Sequence, residues 1–204
     1  MIQEKILKEY HASLVALNKG DILFQEGDPA AFFYVVHAGK IKMVNVSSEG
    51  REFVQGYFTS GQSFGEPPFF SRVPYPATAS ATEKSTVWKL GYDEFLKLLK
   101  NNFDIHVELL QVLSERLIYK STMLSEIAIE EAEHRLVTLI RYLLEQSGQT
   151  SVPEQKLSFT RQQLADMTGL RVETVIRSIK SLEQKRLLEI DDGGKIVRKN
   201  TGRQ

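Results

Sequence analysis

Between Leu14 and Leu90 the chain repeats one pattern, short apolar runs closed by glycine, at Gly20, Gly27, Gly39, Gly50, Gly56, Gly61 and Gly65. AFFYVVHAG, KIKMVNV, REFVQGYF and STVWKLG have the length and the β-branched and aromatic content of strands, with KGD, EGD, AGK and SEG as turns between them. Many short strands with regular glycine turns predict a small antiparallel barrel or jelly roll. Closing such a sheet leaves an interior in which a small molecule can sit.

A helical pattern follows, DEFLKLLKNN and then Ile105 to Glu131. Leu110, Leu113, Leu117, Leu124 and Ile127 fall on a and d positions of a heptad, with Lys120 at the one seam position that is not apolar. Ile105, Leu109, Val112, Tyr119 and Met123 form a neighbouring stripe, expected to pack on the barrel. A helix with two apolar faces touches two partners, and the second is expected to be the same helix of another subunit, giving a parallel homodimer. Lys120 either carries its ammonium to solvent on its alkyl stem or meets an acidic group of a ligand or of the barrel.

Charge divides the chain in the same way. Residues 1–133 hold 13 Lys+Arg against 18 Asp+Glu, a net of 13 − 18 = −5, and residues 134–204 hold 13 against 8, a net of 13 − 8 = +5. The basic back half suits phosphates. In it, HRLVTLIRYLLEQSG reads as an amphipathic helix and QTSVPEQKLSF as a polar connection. Thr160 and Gln163 then make a capping box that opens a short helix through Met167, which Gly169 can end at positive φ. A second helix starts near Val172, and the pair forms a helix-turn-helix whose second helix is the reader.

On that second helix Val175, Ile179 and Leu182 cluster on one side, and Glu173, Arg177 and Lys180 on the other. Arg177 can grip a guanine edge with two hydrogen bonds, and Glu173 can accept from a cytosine amino group. Taken alone, the two are more readily an i,i+4 ion pair on a solvated face. Thr160, Arg161, Gln162 and Lys180 suit phosphate contacts, and Arg171 is a further DNA-binding candidate. Ile176 lies between the faces and is assigned to the core edge in preference to a thymine methyl. LLEIDDGGKIVRK reads as a hairpin from Leu187 to Val197, a wing whose Lys195, Arg198 and Lys199 can reach a DNA backbone.

With these motifs in this order, the chain from about 14 to 198 resembles the Crp/Fnr family of bacterial transcription regulators. KGDILFQEGDPAAFFYVVHAGKIKM is similar to the family's barrel opening, FGE to the start of its effector cassette, and TRQQLADMTGLRVETVIRSIKSLE to its DNA-reading helices. The resemblance implies an α+β architecture: an N-terminal β jelly-roll barrel, a long dimerisation helix and a C-terminal winged helix-turn-helix. The expected domains are an effector domain over 1–104, the dimerisation helix and hinge over 105–133 with the hinge at Ile129 to His134, and the DNA-binding domain over 134–204. It also implies a homodimer on a palindromic double-stranded operator, readers spaced about 34 Å apart, and RNA polymerase as protein partner. VETVIR is similar to the family's reader core, so Glu173, Thr174 and Arg177 carry over.

The effector cassette departs from the family pattern. Gly65 and Glu66 remain, but Pro76 and Ala77 stand where the cyclic AMP-binding branch has an Arg-Ser or Arg-Thr pair for the phosphate. Pro67 and Pro68 remove two backbone donors, and a buried phosphate without cation or donors is costly. The effector-site candidates are Gly65, Glu66, Arg72, Ala77, Thr78, Lys120 and Ser121. The expected ligand is a small molecule of unknown identity other than cyclic AMP, anionic or partly apolar, and a degenerate site that holds no ligand is the further alternative. A cyclic AMP-responsive regulator with an atypical phosphate site, and a ligand-binding module acting on a protein partner, are the competing readings.

With no cysteine in these 204 residues, no Cys-held iron–sulfur cluster is expected. Haem is disfavoured, because no histidine falls in the cassette. His11, His37, His106 and His134 stand apart without metal-ligand spacing, so no metal site is expected. No nucleophile–base set or paired acids point to an enzyme. No apolar run approaches the roughly 20 residues of a membrane span, and MIQEKILKEY is unlike a signal peptide, so a cytoplasmic protein without a membrane partner is expected.

Overall fold

The computed structural model describes residues 2–129, 131–146, 154–191 and 195–199. They fall into two compact units that divide between Leu113 and Ser114.

The first unit opens with α1 (Glu4–Glu9), β1 (Ser13–Leu17), β2 (Ile22–Phe24), β3 (Phe32–Ala38), β4 (Lys40–Val46), β5 (Glu52–Thr59) and β6 (Ser63–Phe64). It continues through α2 (Glu66–Ser71), β7 (Thr78–Ala81), β8 (Ser85–Gly91), α3 (Tyr92–Asn101) and the start of α4 (Phe103–Ile129). Two four-stranded antiparallel sheets, in the orders β1-β8-β3-β6 and β2-β7-β4-β5, share one core. This is the jelly-roll domain that the glycine-punctuated alternation predicts.

β3 shows why its run FFYVVHA is apolar almost throughout. Tyr34 and Val36 enter the core between the sheets, while Phe33 and Val35 join a second core under the helices with Leu7, Phe69, Phe95 and Leu98. A strand buried on both faces has no polar side to show. Between β4 and β5 the register shifts where Met43 pairs with Gly56 and Val44 with Val54, so that Gln55 is the extra residue of a bulge in β5. The β3–β4 turn needs Gly39: its φ is +85°, and a Cβ there would lie 2.6 Å from the Lys84 carbonyl oxygen.

Two elements of this unit have no counterpart in the sequence reading. Residues 4–9 form α1, whose Leu7 is buried. The proline-rich stretch after Gly65 is a helix, α2, because Pro67 and Pro68 sit in its first turn, where their missing N–H groups lose no helical bond.

The second unit holds the rest of α4, α5 (Ala132–Gln146), β9 (Glu154–Leu157), α6 (Arg161–Thr168), α7 (Val172–Gln184), β10 (Glu189–Ile190) and β11 (Ile196–Lys199). α5 buries Leu136, Leu139, Ile140, Leu143 and Leu144, the apolar face of an amphipathic helix. The connection expected over QTSVPEQKLSF contains a strand, β9, which pairs with β11 so that the wing sheet has the order β10-β11-β9. The wing turn at 192–194 and Pro153 lie outside the described residues. Of the expected hinge, α4 ends at Ile129 and α5 begins at Ala132, and residue 130 lies outside the described residues. Among the described residues no helix is long and apolar enough to cross a membrane.

Candidate nucleic-acid interface and effector cassette

The helix-turn-helix forms as its caps dictate. Thr160 Oγ1 accepts from the Gln163 N–H at 3.1 Å, and the Thr160 N–H donates to Gln163 Oε1 at 2.9 Å. Gly169 closes α6 at φ +69°, and Leu170 and Arg171 lead into α7. Val175, Ser178, Ile179 and Leu182 are buried beneath α7. On the outward side Glu173, Ile176, Arg177, Lys180, Ser181 and Gln184 line one shallow hollow of about 520 Å³. Among the described residues Glu173 and Arg177 form no ion pair with each other, which leaves both available to a partner.

Ile176 corrects the sequence reading. It is 47% exposed and belongs to the outward stripe, not to the core edge. At about 100° per residue it sits on the border of the two faces, and the supporting helices cover only the Val175 side.

The other reader candidates separate by exposure. Thr160, Gln162 and Arg171 are exposed, while Arg161 and Thr174 are half-buried. Burial lowers the Arg161 guanidinium, opposed by the nearby Glu183 charge. Gln162 Nε2 donates to Asp166 Oδ1 at 2.7 Å. Lys195 is exposed beside β11, and the side chains of Arg198 and Lys199 lie outside the described residues. α7 is braced from behind: Lys185 pairs with Glu133 of α5, and bonds from Lys185 and Ser181 hold the Glu133 carboxyl below its ordinary value.

The effector cassette is built into the core of the first unit. Gly65 takes φ +78°, and a Cβ there would stand 3.3 Å from the Tyr75 ring. Glu66 is only 1% exposed and accepts from Ser63 Oγ. Ala77 is fully buried in the core cluster with Phe24, Tyr34, Phe64 and Tyr75. Tyr75 stacks on Phe24 with centroids 3.7 Å apart, and its hydroxyl donates to the Phe32 carbonyl at 3.0 Å. Burial raises the Tyr75 and Tyr34 phenols above the ordinary tyrosine value. Gly65 and Ala77 therefore border the same aromatic stack. Arg72 faces elsewhere, over the Tyr92 ring at 4.4 Å in a surface hollow with Val73 and Asp93. Thr78 Oγ1 accepts from the Glu26 N–H at 3.0 Å.

Lys120 and Ser121 belong to the second unit, where both are exposed on α4. Lost hydration and the like charge of Arg116 lower the Lys120 ammonium. Of the heptad positions, Leu110, Leu117, Leu124 and Ile127 are 53%, 67%, 68% and 46% exposed, while Leu113 is half-buried against the core beneath β3. The neighbouring stripe divides. Ile105 and Leu109 pack on the first unit's helix-side core as expected, but Tyr119 stacks on Tyr142 of α5. Among the described residues no group of three acidic or histidine side chains is placed to hold a metal.

Residues 14–102 match the cyclic nucleotide-binding domain family, and residues 136–202 the Crp-like helix-turn-helix domain family. The cAMP-activated global transcriptional regulator CRP of Haemophilus influenzae is 28% identical over 171 residues, 81% of this chain and 75% of that protein. The fumarate and nitrate reduction regulatory protein of Yersinia pestis is 26% identical over 176 residues, 85% of this chain and 70% of that protein. FixK2 from Bradyrhizobium japonicum shares the fold at a TM-score of 0.74 and 20% identity, covering 94% of both chains. A CooA variant from Carboxydothermus hydrogenoformans shares it at 0.77 and 18% identity, covering 99% of this chain and 89% of that one. A nucleotide-binding-type jelly roll followed by a capped helix-turn-helix and wing, matched in this order along the chain, makes this protein a member of the Crp/Fnr family of transcription regulators.

Proposed function

We propose that the chain acts as a homodimer that reads a palindromic operator and answers to a small effector other than cyclic AMP. The observation that carries the DNA reading is the α7 stripe of Glu173, Arg177 and Lys180, which faces outward over a helix anchored by Val175, Ile179 and Leu182. Arg177 supplies two parallel donors for guanine and Glu173 an acceptor for cytosine, with Thr174, Arg171, Arg161, Gln162 and Thr160 flanking the groove on the phosphate side. The exposed leucines of α4 support pairing of two copies through Leu110, Leu117, Leu124 and Ile127. Residues 1–104 then sense, 105–133 pair and couple, and 134–204 read. Such a regulator works in the cytoplasm, with RNA polymerase as its protein partner.

The cassette argues for a different effector. A phosphate set against Pro76 and the fully buried Ala77 meets an aromatic core rather than a cation. Fluorescence anisotropy of a palindromic duplex selected by the full chain tests the DNA reading. Affinity is expected to fall steeply with salt and to drop for Arg177→Ala by about 5- to 150-fold per half-site, the loss of about 1–3 kcal/mol given up with a bidentate guanine contact. Binding indifferent to both salt and Arg177 would refute it.

A further inference from the structure

α7 carries one apolar side chain where its outward face is otherwise polar. Val175, Ile179 and Leu182 are 0%, 1% and 1% exposed, but Ile176 is 47% exposed. It lies in the same hollow as Glu173, Arg177, Lys180, Ser181 and Gln184, one turn from Glu173 and Lys180 and next to Arg177. An isolated exposed isoleucine is unremarkable. Its surroundings are what give it meaning, since every neighbour in the hollow is a hydrogen-bonding group suited to base edges or phosphates.

The major groove offers an aliphatic side chain one matching apolar feature, the C5-methyl of thymine. We infer that Ile176 is a specificity-determining residue that reads a thymine through this methyl, at a base pair beside the one Arg177 grips. The inference rests on the DNA reading proposed above and adds to it a defined apolar contact. Ile176 also works by exclusion: a cytosine amino donor set against its sec-butyl group loses its hydration and gains no acceptor. Arg177 and Glu173 supply polar readout on either side, so the three side chains specify adjacent base pairs by different chemistry.

The test begins with operators selected by the full chain from a randomised palindromic library. Each thymine of the selected duplex is then replaced in both half-sites by deoxyuridine, which removes the methyl and keeps every hydrogen-bonding group. At one thymine per half-site the substitution is expected to weaken binding about fourfold per half-site, the value of one buried methyl-sized group. Ile176→Ser should abolish this sensitivity while keeping salt-dependent binding. Ile176→Val, which keeps an apolar branch, should preserve it, and serves as the reference if the serine variant folds poorly by circular dichroism. If uracil is tolerated at every position of a tightly bound operator, or if Ile176→Ser remains sensitive to it, the inference falls and the DNA reading stands. If no operator is selected and binding ignores salt, both fall.

Discussion

Tyr119 of α4 lies flat on Tyr142 of α5, with ring centroids 3.6 Å apart and planes within 8° of parallel. The two helices meet through side chains along their lengths. Thr138 Oγ1 donates to Glu126 Oε1 at 2.9 Å, and Arg135 spans the Ile127 and Thr168 carbonyls at 3.4 Å each. One arginine thus ties the end of α4 to the end of α6, and the tyrosine pair fixes the far end of the clasp. Truncating Tyr119 and Tyr142 singly and together to Ala in urea-melt double-mutant cycles should give a coupling of about 0.5–1.5 kcal/mol. A coupling near zero would mean that the stack contributes area but no pairing.

The same phenols predict an alkaline limit. Burial raises Tyr119 and Tyr142, and also Tyr34 and Tyr75, above their ordinary value of about 10. The unfolded chain ionises these groups first, so the stability they provide is intact below about pH 10 and is lost as pH rises through the folded values. Denaturant midpoints should be flat from neutrality to about pH 9 and fall beyond about pH 10, with tyrosinate absorbance rising together with unfolding. Ionisation of all seven tyrosines in a chain that remains folded would contradict this.

Gly39→Ala should be among the most damaging small substitutions in the jelly roll. The added methyl meets the Lys84 carbonyl oxygen at 2.6 Å and the Ser85 Cα at 2.7 Å, both backbone, at a φ of +85°. A strained positive φ costs about 1–3 kcal/mol and overpacking a similar amount. A loss of about 2–6 kcal/mol in chemical denaturation is expected, against about 1–2 kcal/mol for Gly20→Ala on the strain term alone, where nothing stands within 4 Å. Equal losses at the two sites would remove the close approach from the account.

The glycine pattern made β3, β4, β5 and β8 legible, because alternation and turn chemistry are both local. The Thr160–Gln163 box and Gly169 were legible for the same reason. β9 was not: Glu-Gln-Lys-Leu has neither alternation nor β-branched residues, and it is a strand only because β11 lies beside it. α2 was hidden by Pro67 and Pro68, whose missing backbone donors argue against a helix until their place in its first turn is known. Tyr119 and Ile176 were misplaced for one shared reason. Periodicity gives the angle of a side chain about its helix, but which neighbouring helix covers that angle is a tertiary fact.

Cyclic AMP offers a direct check of the cassette. With Glu66 1% exposed and engaged by Ser63, and Ala77 closed into the aromatic core, saturating cyclic AMP is expected to leave the melting temperature unchanged. A ligand held at 100 times its Kd adds about 2.7 kcal/mol, which in a chain of this size is several degrees. Organic acids, fatty acids and haem form the rest of the panel. A shift of that size with cyclic AMP, abolished by Glu66→Ala, would restore the nucleotide as effector.

The α4 seam yields the last prediction. Leu117 and Leu124 stand two turns apart and are 67% and 68% exposed, and burying each against a second copy is worth about 1.5–3 kcal/mol. In the proposed dimer, Leu117→Lys with Leu124→Lys would set like charges across the two-fold axis at two levels of the seam, on either side of Lys120. Sedimentation equilibrium is expected to report a monomer with an unchanged circular dichroism spectrum, since neither leucine supports the fold of its own chain. Operator affinity should fall with it, and the salt dependence should drop to about half, because a monomer neutralises the phosphates of one half-site only. A double variant that stays dimeric and binds with undiminished affinity would move the dimer contact off this face of α4.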